Sequence, residues 1–368
     1  MRKKSQITYA AVGDNYDTKD PIKKLAQLAA RQTMIRNRSG FKELSQSRGE
    51  SAFVFKVGKT LMASVIEGLG TKNLVSDAMR QITSKTYYDI IGHDTVATII
   101  NDLITVGAKP LVVHAYWAIE DNSWLQDRER MTDFINGWRD ACKISGATWG
   151  GGETPTLKGI IEPQTVDLGG SAVGIIKSEK ALITNQKLKI GDKIVLIKSA
   201  GVNANGISLA RAIANKLPNG YGTKLPSGKL YGETLLTKTN IYAKLVKDLL
   251  DAGVNIHYIV NITGHGLRKI MRAREKYTYV IEKLFPPQEV FNFIQKHAAI
   301  NDYEMFQTYN MGQDYAIFVS SKDVEKTQDV IKKNKFHSIV AGEVIRGPRK
   351  VIIKPKNITF MTETLDLR

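Results

Sequence analysis

The chain has 368 residues, 42% of them hydrophobic and 24% charged, which suits two cored domains rather than one. Fifty-three basic against 36 acidic side chains leave a net charge of +17, so anionic partners such as phosphorylated metabolites are favoured. A single cysteine, Cys142, excludes an internal disulfide, and no apolar run approaches the ~20 residues of a membrane span. The basic start "MRKKSQITYAAVGD" lacks the apolar core of a secretory signal, so a cytoplasmic protein is expected. Over 21–36, Ile22, Leu25, Leu28 and Ala29 recur at helical spacing. "SAFVFKV-GK-TLMASVI" reads as a β-hairpin closed by Gly58 and Lys59, and its second strand runs into "EGLGTK". In "GHDTVATIINDLITVGAKP", Val96, Ile99, Ile100, Leu103 and Val106 share one helical arc. Asp94, Thr98, Asn101, Asp102 and Thr105 take the other face, where solvent is the usual neighbour. A helix over 123–145 buries Met131, Phe134, Ile135, Trp138 and an inert Cys142 thiol. "VDLGGSAVGIIK" is a strand, and the polar stretch "SEKALITNQKLKIGD" divides the chain into domains 1–180 and 181–368. The second half restarts with the strand "KIVLIKS", then the loop "AGVNANG" and the helix "ISLARAIANKL". A helix follows over 235–251, then "HYIVNITGHGLRKIMRA" as strand, glycine loop and helix. "YAIFVS" and "KVIIK" are strands around a helix near 322–334, and the lysines of "RGPRKVIIKPK" read as a solvated strand edge rather than a nucleic-acid patch. The class is α/β or α+β.

Chemistry is carried by a few short stretches. "EGLGTK" fits neither the Walker A pattern nor the dinucleotide fingerprint. It is either a plain turn or a phosphate cradle in which glycine-freed N–H groups and Lys72 meet phosphate, with Glu67 at a magnesium ion. Asp94 and Asp102 are eight residues apart, roughly 12 Å along a helix, too far to share one metal but able to serve two ends of a triphosphate through separate ions. "WGGGETP" permits close backbone approach to a ligand and offers Glu153 as a metal ligand, or is simply a flexible turn. "SAGVNANG" and "ITGHG" each precede a helix, where an anion or plain capping by Asn205 or Thr263 would use the same residues. The six histidines are scattered without zinc-ligand spacing.

Six motifs in order, "EGLGTK", "GHDTVATIINDLITVGAKPL", "GATWGGGETP", "SAGVNANGISLAR", "VNIHYIVNITGHGLRKI" and "YNMG", resemble the phosphoribosylformylglycinamidine cyclo-ligase family, the aminoimidazole ribonucleotide synthetases of purine biosynthesis. The resemblance runs from about Tyr9 to Lys354. It implies a two-domain fold of the kind seen in selenophosphate synthetase and thiamine-monophosphate kinase. It also implies a homodimer whose N-terminal strands build a shared β-barrel. The implied reaction uses ATP and Mg2+ to phosphorylate the formyl oxygen of a phosphoribosyl amidine, formylglycinamidine ribonucleotide, before ring closure. By similarity, Gly68, Gly70, Thr71, Lys72, Asn101, Gly151, Gly152 and Thr154 hold ATP, and Glu67, Asp102 and Glu153 hold magnesium. Asn205, Gly206, Thr263 and Gly264 approach the substrate, and Lys72 and Asp102 are the implied catalytic groups; His265 is a candidate proton carrier of this sequence's own, or else a capping or solvent-exposed residue.

The departures fall on the substrate side. Glu67 stands where the family has Asp, and "GGETPTLKG" where it has "GGETAEMPG". Asn203 and Asn261 replace family histidines, His265 is gained, and Gln313 and Asp314 follow "NMG". "KELSQSRGESAF" replaces a glycine-rich loop. A second reading is therefore an ATP-dependent kinase or ligase of the same superfamily with another acceptor. A third, motivated by the charge of +17, is a non-enzymatic RNA-binding protein.

Overall fold

The computed structural model describes residues 7–13, 15–34 and 40–365. Arg36 and its neighbour at 35, the end of the first expected helix, and the basic residues 1–6 lie outside the described residues. Helix α1 (Tyr16–Gln32) is capped by Asn15, whose side chain accepts the Asp17 N–H at 2.9 Å. Its apolar Ile22, Leu25 and Leu28 are exposed rather than buried. Strands β1 (Phe41–Glu43), β2 (Phe53–Val57) and β3 (Thr60–Gly68) form antiparallel pairs. The β2–β3 turn places Gly58 at φ 58°, the left-handed value a primed turn needs at its first central position.

Helices α2 (Lys72–Thr83) and α3 (Tyr88–Leu103) follow, then β4 (Lys109–Ile119), α4 (Arg128–Ser145), β5 (Thr148–Glu153) and β6 (Val166–Ile176). The first sheet runs β1-β2-β3-β6-β4-β5, antiparallel except for β4–β5. It is open within one chain and not a closed barrel, with β1 and β5 at its edges. Helix α3 lies on this sheet and crosses α4 where both backbones touch. A Cβ on Gly92 would stand 2.3 Å from Phe134 O, and one on Gly137 would stand 2.0 Å from Asp89 O. The four tryptophans of the chain lie in this first domain, and Trp117, Phe134, Trp138 and Trp149 stack edge-to-face or tilted beneath β4 and β5.

The second domain contains β7 (Lys193–Lys198), α5 (Ile207–Ala214), α6 (Tyr231–Leu235), α7 (Ala243–Asp251), β8 (Ile256–Asn261) and β9 (Tyr277–Ile281). It continues with α8 (Glu289–Ala298), α9 (Asp302–Thr308), β10 (Gln313–Val319), α10 (Val324–Lys333), β11 (Ser338–Arg346), β12 (Lys350–Ile353) and β13 (Ile358–Met361). Its sheet runs β13-β12-β9-β11-β7-β10-β8, with β12–β9 the parallel pair. β8 and β10 are buried on both faces, which explains their near-continuous apolar sequence.

Three expectations change here. The helix expected over 235–251 is confined to α7, because residues 236–242 cross over to α3. There Asn101 clamps the backbone, donating to Asn240 O at 2.7 Å and accepting from Tyr242 N at 3.0 Å. The helix expected after "NITGHG" is a single 3-10 segment, Gly266–Met271. The polar face of α3 is likewise not solvated: Asp94, Asn101 and Asp102 are buried against the second domain.

Candidate active site

A cavity of about 500 Å³ lies between the domains, where the end of β3, the C-terminal half of α3, the loops before α5 and after β8, α1 and the 48–50 loop meet. It collects Glu67, Gly68, Asp102, Asn205, Thr263, Gly264 and His265 of the expected residues. It also collects five cations that sequence reasoning missed: Lys19, Lys23, Arg48, Lys269 and Arg272. Glu50, Glu67 and Asp102 are the lining acids, and Glu43 behind the wall holds Arg48 in a two-pronged ion pair. A cavity with this balance suits a polyanionic ligand.

Glu67 and Asp102 stand side by side at its base. Burial, and then the neighbouring Asp102, push the Glu67 carboxyl up to about 7. Burial pulls the Lys269 ammonium down to about 8, with Arg272 adding to the fall and Asp102 and Glu67 resisting it. Lys269 donates to Thr263 Oγ1. Asn261, standing where the family has histidine, donates from Nδ2 to Asp102 Oδ1 at 2.7 Å. Arg272 fastens the loop above, donating to Gly49 O at 3.0 Å and Ser51 Oγ at 2.8 Å.

A carboxyl pair that must share a proton or a cation, beside phosphate-ready cations, fits magnesium. That ion uses one or two carboxylates plus ligand phosphates. The fit is to a two-carboxylate site. Among the described residues no group of three or more His, Cys, Asp or Glu could hold a metal. Glu153 is not a third ligand within one chain. Gly68 pairs with Gly169, Gly169 with Tyr116 and Tyr116 with Glu153, so Glu153 stands three strand spacings from the end of β3, about 14 Å.

Lys72 requires the other correction. It does not reach the cavity. Its side chain is fully buried, donating to Asp94 Oδ2 at 2.5 Å and to Thr237 O at 3.0 Å. Asp94 Oδ1 accepts the Thr239 N–H at 2.8 Å, so this ion pair joins α2, α3 and the second domain. Gly70 and Thr71 are likewise outside the cavity, and Gly70 has the left-handed φ of 72° that the strand-to-helix turn requires. Asn101 is spent on the 240–242 backbone described above. Gly151, Gly152 and Thr154 lie at the exposed β5 edge. Gly150 and Gly152 lack side chains because β4 fills the space: their Cβ atoms would stand 2.5 Å from Val112 Cγ2 and 2.3 Å from Ala115 O. Gly151, at φ 98°, faces open space.

The substituted residues of the second domain find one another. Asn203 donates to Asp314 Oδ1 at 2.7 Å, and Tyr242 OH donates to Asp314 Oδ2 at 2.7 Å. Burial raises the Asp314 carboxyl to about 6 against these donors. Gln313 is buried and bonded to the Phe285 backbone. Neither residue lines the cavity. Gly206 is held at φ 75° under the Tyr309 ring, 2.1 Å from where its Cβ would be. His265 does line the cavity, also in the left-handed region at φ 68°. Burial lowers its imidazole to about 4 despite Asp20, which lies 3.0 Å from Nε2, so the ring is neutral at pH 7.

The AIR synthase related N-terminal domain matches residues 49–176, and the C-terminal domain of the same name matches 189–354. Phosphoribosylformylglycinamidine cyclo-ligase of Carboxydothermus hydrogenoformans is 30% identical over 358 residues, 95% of this chain and 99% of that one. The enzyme of the same name from Methanocaldococcus jannaschii is 32% identical over 282 residues, 76% of this chain and 77% of that one. Among solved structures, AaThiL complexed with AMPPCP and TMP superposes with a TM-score of 0.60 at 13% identity, over 92% of this chain and 93% of that one.

Proposed function

Because the chain belongs to the AIR synthase related family of phosphoribosylformylglycinamidine cyclo-ligases, we infer that it is an ATP-dependent cyclo-ligase of purine biosynthesis. The inferred substrate is formylglycinamidine ribonucleotide and the product is aminoimidazole ribonucleotide. The observation that carries the site is the Glu67–Asp102 pair facing Lys269 and Arg272 in the interdomain cavity. Glu67 and Asp102 would hold magnesium, which when bound neutralises phosphate charge and orients the transferring group. Lys269, aligned by Thr263, and Arg272 neutralise phosphate oxygens. Phosphorylating the formyl oxygen turns a poor leaving group into phosphate, and nitrogen attack then closes the ring. Asn205 and Gly264 supply polar backbone and amide contacts for the ribonucleotide.

The open sheet supports a homodimer. Its edge strand β5 is exposed along almost its whole length, and natural proteins cover such edges. Pairing two such sheets into a shared barrel would bring Gly151, Gly152, Glu153 and Thr154 of one protomer towards the nucleotide of the other. The family and the absence of any helix long and apolar enough to cross a membrane, among the described residues, support a cytoplasmic enzyme. The test is turnover. Purified protein with ATP, Mg2+ and formylglycinamidine ribonucleotide should release one phosphate per imidazole formed. ATP binding without phosphate release would refute the cyclo-ligase. The buried Asn203–Asp314 and Asn261–Asp102 pairs replace family histidines, and they favour as second reading an enzyme of this superfamily with another acceptor. Phosphate release with thiamine phosphate or selenide, and none with the amidine, would select it.

A further inference from the structure

We propose that a second groove, sharing no residue with the Glu67–Asp102 cavity, binds a small phosphate monoester with an apolar body. The groove has a volume of about 890 Å³, within the ~300–1,000 Å³ range of small-molecule sites. Three parts of the chain wall it: the start of β4 with the end of α4, the connector between the domains at 177–181, and α7 with the turn after it. Its floor is aliphatic, from Pro110, Ile144, Ile175, Val246, Leu250 and Val254. Its rim carries six lysines, Lys109, Lys143, Lys177, Lys180, Lys244 and Lys247, against one acid, Asp251.

Charge complementarity therefore calls for an anion. Lys247 lies 2.8 Å from Asp251, Lys177 shares the same carboxylate at 3.9 Å, and Lys244 pairs with Asp248. Lys109, Lys143 and Lys180 have no carboxylate within salt-bridge distance among the described residues. Three ammonium groups over an aliphatic floor fit an anionic head on an apolar body better than a bare ion, which leaves the floor wet. No aromatic side chain lines the groove, so the base stacking that holds single-stranded nucleic acid is not offered. One polar position is fixed in the wall. Asn255 Nδ2 lies 3.0 Å from His257 Nε2, and His257 Nδ1 lies 2.8 Å from both oxygens of the buried Asp192. A ligand here touches both domains and their connector, so its binding braces the interface.

Displacement of the fluorescent anion anilinonaphthalene sulfonate from the full chain tests the proposal, with three competitors: adenosine monophosphate, octyl phosphate and inorganic phosphate. The first two separate a nucleotide from a lipid-like source. The expected result is displacement by one ester at concentrations about tenfold or more below inorganic phosphate. That displacement should weaken about tenfold in the Lys143→Glu/Lys180→Glu double variant, both positions being exposed, and persist in Arg272→Glu, which alters the other cavity. The double variant should keep wild-type cyclo-ligase turnover and melting temperature. Equal potency of all three competitors, or unchanged displacement in the double variant, would overturn the proposal. So would salt-sensitive RNA binding that the double variant loses while no ester competes.

Discussion

Two ionic clusters sit on α3 eight residues apart, and they do opposite work. At one end Lys72 and Asp94 are both fully buried, and their polar atoms are spent on each other and on the 237–239 backbone. At the other, Glu67 crowds Asp102, a proton is held up to about 7, and the cluster opens onto a cation-lined cavity. The same residue types thus make a seal where every group is satisfied, and, on the proposed reading, a binding site where like charges are left competing.

The comparison breaks most visibly at Lys72. Lys72→Met should cost about 3–5 kcal/mol, because it leaves Asp94 buried and unpaired. Urea unfolding should show the loss, and Lys72→Met/Asp94→Leu should recover part of it, whereas Lys72→Met with full stability and lost ATP affinity would reverse the two roles. Glu67→Gln should do the converse. Stability at pH 7 should hold or rise, because the neutral amide removes the cost of the buried carboxylate, while turnover falls roughly 100-fold or more. Lys269→Gln should lower turnover by about tenfold or more and abolish any alkaline limb near pH 8 in the pH–rate profile, where the wild-type ammonium loses its proton.

Acid titration sharpens the contrast further. Glu67 has a folded value of about 7 against an ordinary 4.5, so its contribution to stability is complete below 4.5 and is lost as pH rises through 7. Magnesium must displace that proton, so its affinity should climb between pH 6 and 8 in calorimetric titrations; a flat profile would remove Glu67 from the metal site. His265 works in the opposite direction. With its ring held near 4 against an ordinary 6.5, stability should fall as pH drops from 6.5 to 4, and His265→Gln should flatten that slope in thermal melts.

Local pattern made the β2–β3 hairpin, the strands β6, β7 and β10 and the helix α3 legible in the sequence. The apolar arc of α3 was readable, but its polar face was not, since periodicity cannot tell a solvated face from one docked on a second domain. Lys72 was misplaced because glycine-rich company suggested phosphate, while its partner Asp94 lies 22 residues on and Thr237 in another domain. Lys269 and Arg272 carry no local signal, because "GLRKIMRA" reads simply as a helix after a glycine loop. The 3-10 segment Gly266–Met271 instead turns Lys269 inward. The pairing of Asn203 with Asp314 spans 111 residues, and no local signal announces it.

Which end of α3 does chemistry is settled most directly by magnesium-dependent phosphate release, measured with formylglycinamidine ribonucleotide at saturating ATP for wild type, Glu67→Gln and Lys72→Met/Asp94→Leu at a temperature where all are folded. The account predicts release from the wild type and from the double variant, and near-complete loss in Glu67→Gln. Release that survives Glu67→Gln but vanishes in the double variant would contradict it.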